Sequence, residues 1–336
     1  MTYADGSHLI EVYQRARMSD YGFIASNLTH PDILQGLLRG AETADSDLVL
    51  QIKRDTAEYF GNGDIRAGLK AASAHISALS TTMDNAVFLN VDHIEATDRA
   101  MIDAALDVIT PSSIMIDASE RPLKENIEKT RQIVDRVEQM DANILVEAEL
   151  GTIAGTESGE VTKEALYTDP TEAVEFVDQS GCDLLAISIG TKHGVAAGVE
   201  LDLRVELATE IGEALRQHGL EIPLVVHGSS GLTQSQVTAL METDVCKLNT
   251  NTRYQYELAR RMCEYCEDHR EAIMPPPDTT DTPSTMFAGH SWQPDKTRFR
   301  THAFGDEVHR QITEVYSELA TLSGSAGQSR AQQAHR

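Results

Sequence analysis

The sequence predicts an α/β protein, a (β/α)8 TIM barrel in a single domain with a C-terminal loop and helix extension. Three observations predict it. Eight short apolar runs recur along 336 residues, with helical patterns between them, the alternation that builds a parallel sheet. The length suits one large barrel, for which ~250 residues is typical before insertions. Unusual polar residues also gather at the C-terminal ends of the runs, where barrel strands converge on one mouth.

In order, the expected strands are Gly22–Ser26, Leu48–Ile52, Val87–Val91, Ser113–Ile116, Ile144–Glu149, Leu184–Ile189, Leu224–Val226 and Val245–Leu248. Helical patterns between them include Pro31–Arg39, Ala96–Asp107, Leu123–Gln139, Pro170–Gln179 and Leu203–His218. Pro31 and Pro170 stand where a first-turn proline is tolerated. Eight strand–helix repeats argue for closure over an open sheet. No boundary divides residues 1–323. Residues 274–302, rich in proline and polar side chains, predict a long loop, and 303–323 a final helix. The low-complexity tail 324–336 is expected to be disordered.

Composition narrows the function. No run approaches the ~20 apolar residues that span a bilayer, and the N-terminus lacks an apolar signal-peptide core, so a soluble, cytoplasmic protein is expected. The net charge of −25 repels nucleic acid and anionic membranes. It also repels an anionic substrate unless basic residues gather at the site. With 8 Lys against 20 Arg, the chain has the acid-rich, lysine-poor balance of cytoplasmic proteins from salt-accumulating organisms. Four cysteines do not suggest a disulfide scaffold. Cys263 and Cys266 form a CxxC without the second pair a zinc ribbon needs, and read as two thiols one turn apart on a helix.

The chemistry lies at the strand ends. Asp92 and His93 close the third strand and Glu147 and Glu149 the fifth. His193 follows the sixth, His227-Gly228 the seventh, and Asn249 and Asn251 the eighth. Three histidines on three converging ends make a zinc set, since three protein ligands leave a position open for substrate. The glycine-rich stretches HGSSG and GTKHG supply backbone N–H groups suited to phosphate. GTIAGTESGEV, after Glu149, reads as a loop able to close over a site.

These segments resemble class II fructose-bisphosphate aldolases and the related tagatose-bisphosphate aldolases. VDH, SIMIDASERPLKENIEKT, VEAELGTIAG, YTDPTEAVEFV, LAISIGTKHG, PLVVHGSSGL and KLNTNT occur in the family's order between about Tyr21 and Arg253. The resemblance implies that His93, His193 and His227 bind Zn2+ or another divalent ion, with Glu149 able to approach it. It implies that Asp92 is the acid/base on the carbonyl being attacked and Glu157 the loop acid that moves the carbon-bound proton. Gly194, Gly228, Ser230, Asn249, Asn251 and Thr252 match positions that hold the ketose phosphate and carbonyl end. A monovalent cation (K+ or Na+) near that phosphate and a homodimer or larger homo-oligomer are implied too. The substrate would be a small phosphorylated sugar.

The chain departs from the family at four places. Asn90 stands for the first histidine of HxDH, and Ile24 for an asparagine after the first strand. Lys53, followed by Arg54, stands for a phosphate-contacting serine, and Asn251 for the aspartate of NxDT. Lys53 and Arg54 are therefore candidate phosphate ligands, or signs of a different ketose. Two other classes compete: a zinc hydrolase on a barrel, which needs neither paired phosphate loops nor Glu157, and a non-catalytic relative, against which the intact acid and histidine set argues.

Overall fold

The computed structural model describes residues 3–151, 154–155, 167–193, 203–277 and 292–329, with the backbone alone for 154–155 and 192–193. Eight parallel strands close into a barrel. They are β1 Phe23–Asn27, β2 Leu48–Ile52, β3 Val87–Glu95, β4 Ser113–Asp117, β5 Leu145–Leu150, β6 Leu184–Ile187, β7 Leu224–Val226 and β8 Val245–Thr250. Neighbours follow chain order, and β1 meets β8 with Phe23 opposite Lys247 to complete the circle. The helices are α1 Gly6–Met18, α2 Pro31–Ala44, α3 Arg54–Phe60, α4 Ile65–Ser80, α5 Arg99–Val108, α6 Leu123–Met140, α7 Pro170–Ser180, α8 Val205–Gln217, α9 Gln234–Met241, α10 Thr252–Asp268, the single turns α11 Arg270–Ile273 and α12 Lys296–Phe299, and α13 Thr301–Leu322. Local chemistry sets their ends. Asp169 caps α7 through the Thr171 and Glu172 amides with Pro170 in the first turn, and Thr233 and Gln236 form a capping box on α9.

Side chains alternate across each strand. One set, including Ile24, Leu50, Val91, Ile116, Val146, Ile187 and Leu248, packs outward under the helices. The other faces the barrel axis. Its lower layer is apolar: Phe23, Val49, Phe88, Leu145, Leu184 and Val225 meet Leu9, Val12, Tyr13 and Ala16 of α1. Helix α1 thus plugs the N-terminal end, a role the sequence reading did not assign to this segment. Helix α13 packs along α2, where a Cβ on Gly40 would stand 2.8 Å from Tyr316 Cβ.

The extension differs from expectation. Residues 324–329, expected to be disordered, pack against the barrel: Ser325 and Ser329 are buried. Gly327 N donates to Ala44 O at 2.9 Å and Ser329 N to Asp45 O at 3.0 Å. Ser46 Oγ donates to Ser325 Oγ at 3.0 Å. Small side chains let this segment lie flat against the α2–β2 turn and satisfy its backbone there. Residues 330–336 and 278–291 lie outside the described residues. Cys263 and Cys266 are free and exposed on α10. Among the described residues, no helix is long and apolar enough to cross a membrane.

Candidate active site

The C-terminal mouth is built by strand periodicity and one irregularity. Two to four residues beyond the apolar layer the inward positions turn polar and carry the site: Asn90 and Asp92 follow Phe88 on β3, Glu147 and Glu149 follow Leu145 on β5, His227 follows Val225 just past the end of β7, and Lys247 and Asn249 stand on β8. Consecutive residues on a regular strand point to opposite faces, so Asp92 and His93 would not share a site. The β3–β4 register shifts between Val91 and Ile94, and His93 has φ +48°. A non-glycine residue in that region stores about 1–3 kcal/mol of strain. The bulge lets both side chains line one cavity with Asn27, Lys53, Ser230 and Asn249.

Two ring nitrogens meet there. His227 Nδ1 lies 3.0 Å from His93 Nε2. The opposite nitrogen of each ring faces a carboxylate: His227 Nε2 is 3.0 Å from Glu147 Oε1, and His93 Nδ1 is 3.4 Å from Asp117 Oδ2. With each carboxylate accepting the N–H on its side, the neutral rings would turn their lone pairs toward each other, an arrangement that a cation would satisfy. Glu149 Oε2 approaches His227 Nδ1 at 3.3 Å, yet is buried without a hydrogen bond. Burial raises the Glu149 carboxyl above its ordinary range, helped by Asp117. Burial also works against a charged His227 ring, but Glu147 and Glu149 outweigh it and raise that ring to about 9.

Asp92 is held on both oxygens. Asn27 Nδ2 donates to Oδ2 at 3.1 Å and Asn249 Nδ2 to Oδ1 at 3.3 Å. Its burial opposes ionisation, but His93, Lys53, His227 and Lys247 together hold the carboxyl well below the usual range. Around it lie groups suited to an anion. Gly228, at φ +68°, turns the chain from β7 into the single turn Ser229–Gly231, a conformation that favours glycine. Ser229 Oγ ties that turn to Asn249 O at 2.8 Å. Asn251 and Thr252 open α10 at the same cavity, where a helix N-terminus favours negative charge. Lys53 lines the cavity from the end of β2. Arg54 does not share it: its guanidinium pairs with Asp98 and Glu58 at the exposed start of α3.

Residues 7–328 match the family described as fructose-bisphosphate aldolase class-II. The chain belongs to that family. Two solved structures have the same fold. One is the YdjI aldolase of Escherichia coli K12, at 24% identity and TM-score 0.73 over 96% of this chain and 98% of that one. The other is the fructose-bisphosphate aldolase of Campylobacter jejuni, at 19% identity and TM-score 0.82 over 97% and 96%.

Class II aldolases are typically metal-dependent, and the donor set here fits an ion. Asp92, His93 and His227 bring one donor atom each within 4.8 Å of one another, as do His93, Asp117 and Glu149. Imidazole nitrogen and carboxylate oxygen suit zinc. The Glu149 oxygen beside His227 has no hydrogen bond among the described residues and is a buried acceptor that a cation would satisfy. The backbone of Lys192–His193 forms a two-residue strand that pairs with Ala154–Gly155 beside the Ser229–Gly231 turn. Its side chain, Gly194, Glu157 and most of the GTIAGTESGEV loop lie outside the described residues.

Three polar residues escaped the sequence reading or were left without a role. Asn27, rather than position 24, supplies the asparagine at the end of β1, while Ile24 packs outward. Asp117 faces His93. Lys247 pairs with Glu147 inside the barrel. Strand parity was the available signal, since Glu147 and Glu149, like Lys247 and Asn249, must share a face. Asn90, in place of the family histidine, accepts from Gln51 at 3.1 Å and donates to Ser113 at 2.7 Å one layer below the mouth.

Proposed function

We propose that this aldolase-family chain cleaves and forms the C3–C4 bond of a phosphorylated ketose in a zinc-dependent reaction, with fructose 1,6-bisphosphate its first candidate and dihydroxyacetone phosphate and glyceraldehyde 3-phosphate the products. The observation that carries this reading is the convergence of His93 Nε2 and His227 Nδ1, 3.0 Å apart, beside the ionised Asp92. His93, His193 and His227 would hold the ion, with Glu149 in reach. When bound, the ion supplies a Lewis acid for the enediolate electrons that cleavage releases.

The chain's own groups do the rest. Asp92 takes the proton from the C4 hydroxyl, its oxygens oriented by Asn27 and Asn249. Glu157 returns a proton to the enediolate carbon. The amides and hydroxyls from Gly228 to Ser230, with Asn251, Thr252 and Gly194, hold the ketose phosphate, with K+ or Na+ beside it. Lys53 attracts the second phosphate against the chain's net charge of −25. Lys53 also favours a second reading, the same chemistry on another ketose such as tagatose 1,6-bisphosphate, because a lysine reaches farther than the serine usual in the family. A homo-oligomer working in the cytoplasm completes the proposal.

The test is cleavage of both bisphosphates with and without EDTA. Chelation should abolish activity and Zn2+ restore it. Full activity in metal-free protein would overturn the metal-dependent reading, and indifference to both sugars would overturn the substrate class.

A further inference from the structure

The barrel interior holds a buried charge chain directly below the mouth. Lys247 and Glu147 come from β8 and β5 and His227 from the residue after β7, and each is at most 1% exposed. Lys247 Nζ donates to Glu147 Oε2, and Glu147 Oε1 lies 3.0 Å from His227 Nε2. A charged pair in a barrel core is costly compared with apolar filling of the same volume, and the layer just below is filled by Phe88, Leu145 and Val225. A retained pair calls for a reason beyond packing.

Resting on the metal-dependent reading above, we propose that Glu147, braced by Lys247, is a positioning residue that selects Nδ1 as the nitrogen through which His227 meets the metal. An ionised carboxylate accepts hydrogen bonds and cannot donate. With Glu147 Oε1 against it, Nε2 must carry its proton, because two acceptors 3.0 Å apart in a dry core repel. A metal binds only the neutral ring, and in that ring the lone pair is confined to Nδ1, the atom that faces His93 Nε2 at 3.0 Å. Lys247 takes the second Glu147 oxygen and balances its charge, which fixes the plane of the carboxylate and so the tilt of the ring. His93 has a looser counterpart, with Asp117 at 3.4 Å and a quarter exposed. The Glu147 arm is the tighter of the two.

Metal affinity and the ring's proton position test this directly. Glu147→Gln keeps the shape but can present a carbonyl to one neighbour alone. The Lys247 ammonium claims that carbonyl and turns the amide NH2 toward His227 Nε2, which forces the ring proton to Nδ1. Zinc affinity, measured by competition with a chelating dye, should fall by about 10–100-fold. Adding Lys247→Met frees the glutamine carbonyl to accept the Nε2 proton, so the double variant should bind zinc more tightly than Glu147→Gln alone. A packing role predicts the opposite, with the two losses adding. Nitrogen-15 imidazole spectra of the zinc-loaded wild type should show His227 protonated at Nε2 and ligated through Nδ1, and these decide the matter if a variant fails to fold. Wild-type zinc affinity in Glu147→Gln, or ligation through Nε2, would overturn the inference. A wild type that binds no divalent ion would instead strike the metal-dependent reading itself.

Discussion

The two ends of the barrel are made by the same strands and obey opposite rules. At the N-terminal end, Phe23, Phe88, Leu145 and Leu184 are sealed by α1, with Tyr13 and Tyr21 edge-on to Phe23 at 6.2 and 5.6 Å between ring centres. Two to four residues along the same strands, the inward side chains become Asn27, Gln51, Asp92, Glu147, Glu149, His227 and Asn249. The unpartnered buried atoms follow this division. Among the described residues, Gln51 Oε1, Glu149 Oε2, Ser188 Oγ, Thr191 Oγ1 and Asn249 Oδ1 belong to the polar end, against Tyr13 OH and His8 Nδ1 on α1, with His309 Nδ1 on α13. An unmatched buried polar group costs about 1–3 kcal/mol. One end therefore gathers stability while the other holds groups in readiness for a ligand, and the two to four residues between them along each strand keep the two apart.

Substitutions at the two ends should separate activity from stability. The largest effect is expected at the mouth. Asp92→Asn keeps the size of the side chain and removes the base, so kcat should fall by about 10²–10⁴-fold with little change in the urea midpoint. At the sealed end, Phe88→Ala should destabilise the fold by about 3–5 kcal/mol, while kcat of the folded protein stays near that of the wild type. Urea titrations and initial rates on the same preparations check both. A Phe88→Ala enzyme that lost kcat without losing stability would break the division.

Much of this division is readable in the sequence. The eight strands were found because a parallel strand buried on both faces reads as an apolar run, and the mouth because polar residues end those runs. What was missed has physical reasons. The plug α1 is a short amphipathic helix ahead of the first strand, outside the βα repeat that organised the reading. Asn27 closes the first strand and gives no signal of its own, while the resemblance points to position 24, which faces outward. The sharing of one site by Asp92 and His93 depends on a bulge and a positive φ, and bulges leave no composition signal. The Lys247–Glu147 pair joins residues 100 apart in the chain, so neither charge could be read as paired. The tail docks through backbone and serine hydroxyls, which low complexity conceals.

A smaller effect sharpens the comparison within the mouth itself. Lys53 and Arg54 are adjacent, but Lys53 lines the cavity with Asp92 while Arg54 pairs with Asp98 and Glu58. Lys53→Ala should raise KM for the bisphosphate by about tenfold, roughly one charge-assisted contact, and lower kcat less. Arg54→Ala should leave both near wild type. Equal effects from the two would mean that the positive field at the rim matters and the placement of the ammonium does not.

The smallest expected effect belongs to neither end but to the surface they share. With 53 acidic against 28 basic side chains, carboxylates are in large surplus over cations, so repulsion dominates the exposed field. Salt acts on both signs of interaction. It weakens surface pairs such as Arg261–Glu307 and Arg260–Glu264, each worth ~0–1 kcal/mol, and it also silences the more numerous repulsions. The second term wins because the charge is so unequal. The Debye length falls from ~30 Å at 0.01 M to ~3 Å at 1 M, so screening should raise the melting midpoint and level off near ~1 M. A gain of 1 kcal/mol moves the midpoint of a domain this large by about 2–4 °C at most, which makes the shift measurable but modest. Melting curves in rising KCl check it, with cleavage rates at each concentration. A further rise well beyond 1 M would require salt to strengthen apolar burial, and should then be reduced in Phe88→Ala. A midpoint that is flat or falls would mean that the ion pairs already outweigh the surplus of carboxylates.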